Sequence, residues 1–272
     1  MSELKKPIII SFFNNKGGVG KSTLSCNQAS VFADKYNVLL IDNDPQGNVS
    51  EMLGQEQNAE IKKVYQGKDF KIHPIDFNAS LIELERRRRT DKRLSIITGG
   101  MDLLDVETEV RAKPKYKTIL KNNLKEAIKD FDYVFIDNQP AINALTWNAL
   151  YMSDFVIIPF KPALSEFSGI KKLYEIIGEL KQEMNHELKI LGILVNMYTS
   201  NFLSDKYVKL LRETFDEKML FKSGVRVAQD YMKAMLFGLP VDLLYAKSDP
   251  VVEMMLAVKE EILEKLEKKI WI

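Results

Sequence analysis

The feature that most constrains this chain is a glycine-rich loop placed between an apolar run and a helix-length segment. The apolar run is Ile8–Phe13, and the loop Asn14–Thr23 has the sequence NNKGGVGKST. Successive backbone N–H groups of such a loop can point at one anion, and the N-terminus of the following helix adds its positive dipole end. The pattern G-x-x-x-x-G-K-[ST] is met except at its first position, which is Asn15. The loop therefore predicts a phosphate site, and a simple strand-to-helix turn is the less favoured interpretation.

The residue types in this loop also predict which side chains meet a nucleotide. Lys21 is expected to reach the β- and γ-phosphates, and Ser22 is expected to supply its hydroxyl to Mg²⁺. The expected nucleotide contacts within the loop are Gly17, Gly18, Val19, Gly20, Lys21, Ser22 and Thr23.

Short apolar runs alternate with helix-length segments along the rest of the chain. The predicted strands are Ile8–Phe13, Val38–Ile41, Leu94–Ile97, Tyr133–Ile136, Phe155–Phe160 and Ile190–Val195, and the predicted helices cover about 22–35, 80–90, 117–130, 165–184, 203–217 and 250–269. Apolar runs without period-2 alternation are typical of parallel strands covered by helices on both faces. The pattern predicts one doubly wound, mostly parallel α/β domain over residues 1–272, with 54–78 as its least regular part.

Three ordered motifs resemble those of the ParA/MinD family of dimeric ATPases. The loop with its early Lys16 resembles the deviant Walker A motif of that family. The segment Val38–Asn48, which ends in DNDPQGN, resembles its second motif, and Asp132–Asp137 resembles its Walker B strand. The family usually continues with a small residue and two prolines, whereas this chain has Asn138, Gln139 and Pro140. The resemblance implies a P-loop ATPase that uses ATP and Mg²⁺.

The resemblance also assigns roles to individual residues. It implies that Lys16 crosses a dimer interface to the nucleotide of the other subunit, and that Asp44 orients the attacking water. The full assignment gives catalysis to Lys16, Lys21 and Asp44, metal binding to Ser22, Asp42 and Asp137, further nucleotide contacts to Asn196 and Pro240, and DNA contacts to Lys222 and Arg226. A helix cap remains an alternative for Asp44, and a plain turn remains one for Asn196.

The functional class implied is a small, Soj-like DNA partition ATPase without an N-terminal helix-turn-helix. Such a protein forms a homodimer with ATP, binds DNA without sequence preference, and hydrolyses ATP slowly until a ParB-like centromere-binding protein stimulates it. It would be cytoplasmic and associated with the nucleoid, without stable membrane association. The alternatives are a MinD-like membrane-cycling ATPase and a scaffold that binds nucleotide without hydrolysis. The balanced tail from Lys259, with four lysines and four glutamates, argues against anionic lipid, and its Ile-Trp-Ile end is more typical of core packing.

Charge and the remaining chemistry-bearing residues exclude few functional classes. The net charge is +1, so no global basicity indicates nucleic acid. Two basic segments could face DNA or solvent: the run Arg86–Arg89 with Lys92 and Arg93, and a lysine row every four residues from Lys113 to Lys129. The single cysteine, Cys26, indicates a reduced compartment, and the isolated His73 and His186 do not have metal-site spacing.

Overall fold

A computed structural model describes residues 6–84, 90–184 and 187–271, and its centre is one sheet of eight strands. The strand order is β3-β4-β2-β5-β1-β6-β7-β8, and every pairing is parallel except that of β3 with β4. The strands are β1 Ile8–Phe12, β2 Val38–Asn43, β3 His73–Pro74, β4 Leu94–Ile97, β5 Tyr133–Asn138, β6 Phe155–Phe160, β7 Lys189–Tyr198 and β8 Leu220–Arg226. This confirms the predicted doubly wound α/β class.

Helices cover both faces of the sheet. Their bounds are α1 Lys21–Ala33, α2 Asn48–Met52, α3 Glu60–Gln66, α4 Phe77–Glu83, α5 Val106–Arg111, α6 Ile119–Leu124, α7 Ala144–Met152, α8 Leu164–Met184, α9 Phe202–Thr214, α10 Asp230–Leu236, α11 Val241–Leu244 and α12 Pro250–Glu267. Short 3₁₀ turns occupy Met101–Leu103, Tyr116–Thr118 and Glu217–Met219.

The central strands are apolar throughout because their side chains enter two cores. In β2, Leu40 packs into the core beneath α1 and α12, whereas Leu39 and Ile41 pack into the core beneath α3, α6 and α7. All three side chains are fully buried. A strand buried on both faces needs no polar residue at alternate positions, which accounts for the continuous apolar runs in the sequence.

Two of the expected elements were wrong in detail. The predicted helix 117–130 is reduced to α6, because Asn122 and Asn123 favour side-chain hydrogen bonds over helix continuation, and Asn123 Nδ2 donates to Val64 O at 2.7 Å. The resemblance to the ParA/MinD family implies a loop and short helix over Lys222–Gln229, around the expected DNA contacts Lys222 and Arg226, but this segment contains most of β8. This strand was missed because it lies at the sheet edge, where Lys222 and Gly224 are exposed and break the apolar pattern.

The C-terminal segment packs on the body of the protein. The Trp271 ring contacts the Phe155 ring edge-on at a centroid distance of 5.0 Å, and Lys189 Nζ lies 4.9 Å from the centre of the Trp271 ring. The core-packing interpretation is therefore confirmed for Trp271, while Ile272 lies outside the described residues. Within the described part of the chain, no helix has the length and apolar character needed to span a bilayer.

Candidate functional site

The glycine-rich loop joins β1 to α1 at the carboxyl edge of the sheet. Asn14, the first residue of the loop, is anchored because its Nδ2 donates to Pro159 O at 2.8 Å. Gly18 and Gly20 adopt left-handed conformations with φ of 71° and 80°. A Cβ at Gly20 would also overlap the side-chain amide of Asn196, so this position requires glycine for both its backbone and its neighbour. The loop is therefore built for close approach to another group.

Lys21 lies at the start of α1 with only 6% of its surface exposed. Its ammonium donates to Lys16 O at 2.9 Å. Burial lowers the pKa of Lys21, and the negative charges of Asp137 and Asp44 oppose that shift. A cleft of about 370 Å³ opens in front of this side chain, and it is lined by Gly17, Gly18, Gly20, Lys21, Ser22, Thr23, Asp44, Gln46, Asn48, Met52, Pro140 and Met235.

Two buried carboxylates lie directly opposite each other at the ends of β2 and β5. Asp42 pairs in register with Asp137. Asp137 Oδ2 accepts from Ser22 Oγ at 2.7 Å, and Asp42 Oδ2 accepts from Ser50 N at 2.9 Å and Ser50 Oγ at 2.7 Å. Burial raises the pKa of Asp42 to about 6, and burial followed by the charge of Asp42 raises the pKa of Asp137 to about 8. The structure thus brings the predicted metal residues together.

The free oxygens of these carboxylates fit a divalent cation. Oδ1 of Asp42 and Oδ1 of Asp137 are both buried, and neither has a hydrogen-bond partner among the described residues. A buried carboxylate oxygen without a partner is costly unless a ligand completes it. No group of three His, Cys, Asp or Glu residues with metal-site geometry occurs in the described ranges. The two carboxylates themselves suit Mg²⁺, which usually takes one or two carboxylates and completes its shell with phosphates and water.

Asp44 follows β2 and lies on the wall of the same cleft. It is 6% exposed, and its Oδ1 accepts from Gln46 N at 2.9 Å. Burial raises the pKa of this carboxyl. One oxygen therefore stabilises the turn before α2. Asp44 does not cap that helix, because the N-cap residue of α2 is Gly47 and no side chain caps it. The residue still lines the cleft that contains Lys21.

Lys16 is not among the residues that line the cleft. Its side chain lies against α8 of its own subunit, because a Cβ built at Gly169 would be 3.3 Å from Lys16 Cε. Glu166, one helical turn earlier, carries a buried Oε2 without a partner in the described structure. A contact of Lys16 with the nucleotide of another subunit stays a prediction.

Asn196 and Pro240 lie close to the loop in different ways. Asn196 Nδ2 donates to Val19 O at 2.7 Å, so its amide supports the loop backbone. Pro240 is buried ahead of α11, and the next residue, Val241, donates its N–H to Asn27 Oδ1 on α1 at 2.9 Å. Pro240 does not line the phosphate cleft. A contact of either residue with the nucleotide base stays a prediction.

Comparison with known proteins agrees with this site. A family model described as an AAA domain matches residues 7–190. The chromosome partitioning protein ParA of Myxococcus xanthus is 30% identical over 94% of this chain and 88% of its own length. The corresponding Caulobacter vibrioides protein is 33% identical over 87% of this chain and 86% of its own. The chain belongs to the ParA/MinD family of ATPases.

The fold of this ParA-family chain is shared with solved structures at much lower identity. The ATP complex of a Cyanothece McdA variant superposes with a TM-score of 0.79, covering 96% of this chain and 97% of the other. The two sequences are 18% identical, so this likeness establishes the fold.

The predicted DNA residues of this ParA-family chain lie away from the phosphate cleft. Lys222 and Arg226 are exposed on β8, beside a larger cleft of about 610 Å³ that has no phosphate-binding loop among its described lining residues. The Arg226 guanidinium lies 5.7 Å from the centre of the Tyr198 ring. Glu261 of α12 accepts from Lys222 N and Ser223 N at 2.7 Å each, which fixes the irregular part of this edge strand.

The described residues of the two basic segments differ in their exposure and in their partners. Lys92 cannot face DNA, because its side chain is 1% exposed and contacts Asp34 and Asp242 at 2.6 Å. Arg86–Arg89 lie outside the described residues. The lysine row does not follow one helix. Four of its five members have separate partners: Lys113 with Tyr65 O, Lys117 with the Trp147 ring, Lys121 with the Tyr151 ring and Lys129 with Glu126. Lys125 is exposed.

Sequence reasoning missed three buried polar residues near the two carboxylates, namely Ser50, Asn43 and Asn138. Ser50 holds Asp42 and also accepts from Gly99 N at 3.0 Å through its hydroxyl. Asn43 and Asn138 are fully buried at the ends of apolar strands. The signal was present, since an amide side chain at the end of such a strand needs a buried partner, but the sequence does not reveal the partner.

Proposed function

We propose that this chain is a DNA partition ATPase whose ATP-bound homodimer holds DNA without sequence preference. A ParB-like centromere-binding partner then stimulates slow hydrolysis and releases the dimer, which cycles between the cytoplasm and the nucleoid. The observation that carries the proposal is the joint presence of Lys16, the phosphate cleft and the Asp42–Asp137 pair. This site occurs in a chain that matches chromosome partitioning ParA proteins over most of its length.

The nucleotide site offers residues for the phosphates, for Mg²⁺ and for the attacking water. Lys21 and the loop N–H groups would hold the phosphates, and Ser22, Asp42 and Asp137 would hold Mg²⁺. Bound Mg²⁺ neutralises charge on the phosphate oxygens. The carboxylate of Asp44, which lines the cleft, would accept a hydrogen bond from the attacking water.

Lys16 supports the dimeric part of the proposal. A cation placed against the charge that develops on a transferring phosphoryl group lowers the barrier. In one subunit alone, Lys16 rests on α8 beside Gly169 and does not line its own cleft. A second subunit would supply the missing cation, so hydrolysis requires the closed dimer.

The cleft beside β8 supports DNA binding. Four cations line it, Lys209, Arg212, Lys222 and Arg226, against two acids, Asp205 and Glu213. Asp205 Oδ1 accepts from Tyr198 OH at 2.6 Å, and Glu213 lies 3.8 Å from Lys209 Nζ, so the cations remain in excess. Each subunit thus offers a modest positive surface, and dimerisation doubles it. Non-specific DNA binding needs only such cations facing phosphates.

The proposal is tested with random-sequence duplex DNA and with anionic liposomes, each with ATP, ADP or no nucleotide. We expect DNA binding only with ATP, a steep loss of affinity with salt, and no liposome binding. Arg226→Glu should abolish DNA binding while ATP-dependent dimerisation persists. The matched control is Lys125→Glu, an equal charge change at an exposed lysine outside the cleft.

Several outcomes would contradict this function. Equal DNA affinity with ADP, or affinity retained at high salt, would remove the nucleotide-gated electrostatic mechanism. Liposome binding without DNA binding would favour the membrane-cycling alternative. Normal DNA binding by Arg226→Glu would exclude that residue as a main contact.

A further inference from the structure

A chain of buried hydrogen bonds runs beneath the nucleotide site from α3 to β1. Tyr65 OH donates to Asn43 Oδ1 at 2.9 Å, and Asn43 Nδ2 donates to Asn138 Oδ1 at 3.1 Å. Asn138 Nδ2 then donates to Ser11 Oγ at 3.2 Å and to Phe12 O at 3.3 Å. Each of these residues is fully buried, so water does not substitute for any of these partners.

The two amides are adjacent in sequence to the residues that the site depends on. Asn43 directly precedes Asp44, and Asn138 directly follows Asp137. In the register of β2 with β5, Asp42 lies opposite Asp137 and Asn43 lies opposite Asn138. The amide-to-amide bond therefore links the two strands one position beyond the carboxylate pair, where the chain leaves the sheet toward the cleft.

Tyr65 fixes the orientation of this amide bridge. Asn43 Oδ1 accepts from the tyrosine hydroxyl, which commits Asn43 Nδ2 to donate toward Asn138. Tyr65 OH and Asn43 Nδ2 also lie 3.2 and 3.3 Å from Leu145 O in the first turn of α7. The Tyr65 hydroxyl thus connects α3, β2 and α7, and the bond between the two amides extends this connection to β5.

We propose that Tyr65 is a positioning residue for ATP hydrolysis, which acts through Asn43 and Asn138 to set the spacing between Asp44 and Asp137. The inference rests on the proposed function only in that the chain must hydrolyse ATP. It concerns the reacting geometry rather than nucleotide affinity, because Tyr65 does not line the phosphate cleft.

The test compares Tyr65→Phe with Tyr133→Phe. Tyr133 is a tyrosine on β5, the strand that carries Asp137, and it is 8% exposed with a hydroxyl outside the chain of hydrogen bonds, so its loss controls for removal of a tyrosine hydroxyl from the same sheet. In Tyr65→Phe, Asn43 Oδ1 loses its donor, and we expect turnover at saturating ATP and Mg²⁺ to fall about fivefold or more. The dissociation constant for ATP should change by less than about twofold. Tyr133→Phe should keep the parental turnover.

A second measurement does not depend on activity. Backbone hydrogen exchange in the nucleotide-free chain should accelerate in the peptides over 42–47 and 137–143 for Tyr65→Phe, and should not change there for Tyr133→Phe. In an Asn138→Ala background, Tyr65→Phe should produce little further loss of turnover, because the path to Asp137 is already broken.

The outcomes separate this inference from the proposed function. A parental chain that hydrolyses no ATP would refute the ATPase assignment itself. Parental hydrolysis with equal turnover in Tyr65→Phe would overturn only the positioning role. A loss shared by turnover and ATP affinity, or matched by Tyr133→Phe, would show that Tyr65 acts through stability alone and would overturn it as well.

Discussion

Lys92 is a buried cation whose removal should destabilise the fold strongly. Its side chain is 1% exposed, and its ammonium lies 2.6 Å from Asp34 Oδ1 and from Asp242 Oδ2. It also donates to Ser30 O at 2.8 Å. These contacts join the segment before β4 to α1 and α11. Lys92→Met keeps most of the apolar length of the side chain and removes the charge.

The structure sets the size of the effect. Breaking a buried ion pair by removing one member costs about 3–5 kcal/mol, since it leaves the other charge uncompensated. Asp242 carries most of this cost, because its side chain is 7% exposed and it retains the hydrogen bond from Ser30 Oγ. Asp34 carries less, because it is 33% exposed and water can replace the ammonium. The expected loss in the free energy of unfolding is therefore near the lower end, about 3 kcal/mol.

Urea denaturation of the nucleotide-free chain measures this loss. The control is Lys62→Met, whose ammonium lies 3.8 Å from a largely exposed Asp102, and which should change stability by about 0–1 kcal/mol. Adding Asp242→Asn to Lys92→Met should recover part of the loss, because the unpaired charge is then gone. A Lys92→Met chain that loses no more stability than Lys62→Met would refute the reasoning.

Two further predictions concern the loop and a buried carboxylate. Lys21→Ala should lose nucleotide affinity, whereas Lys16→Ala should bind ATP and fail to dimerise; nucleotide titration with light scattering checks this, and equal loss of monomeric binding in both would contradict the cross-subunit role. Burial would raise the pKa of Glu60, but Lys63 and the N–H of Lys71 outweigh it and the pKa lies below the ordinary 4.5. Because this pKa is lowered by folding, the ionised carboxylate stabilises the fold above the unfolded pKa, and this stabilisation is lost as the pH falls through the folded pKa. Glu60→Gln should therefore cost about 1–2 kcal/mol at pH 7. The deficit should narrow in denaturation curves below pH 4.5, and a deficit independent of pH would contradict this.

The sequence predicts the nucleotide loop well because local chemistry alone specifies it. A loop with Gly18 and Gly20 in left-handed conformations between a buried strand and a helix has few alternatives. The strand-end carboxylates Asp42 and Asp137 follow equally, because parallel strands deliver their carboxyl ends to one edge. The central strands are also predicted, because both of their faces are apolar.

Residues whose environment comes from distant segments could not be predicted this way. Lys92 looks like part of a solvated basic run, and its burial depends on Asp34 and Asp242, which belong to other parts of the chain. The resting position of Lys16 depends on the small size of Gly169 in α8. Strand β8 lacks an apolar pattern because it is the last strand in the sheet order, and Glu261 of α12 satisfies two of its N–H groups instead.

Strand β7 gives a physical reason for the nucleotide site and the proposed DNA cleft to respond together. Its Asn196 donates to Val19 O within the phosphate-binding loop at 2.7 Å, and two residues later Tyr198 lies under the Arg226 guanidinium. Tyr198 O also accepts from Val227 N at 3.0 Å, directly after β8. A shift of the loop backbone on nucleotide binding would therefore displace the end of β7 and, with it, the surface that carries Arg226. Under the proposed function, dimer closure and this strand would be two separate routes by which ATP controls the same cations, and the second would operate within one subunit.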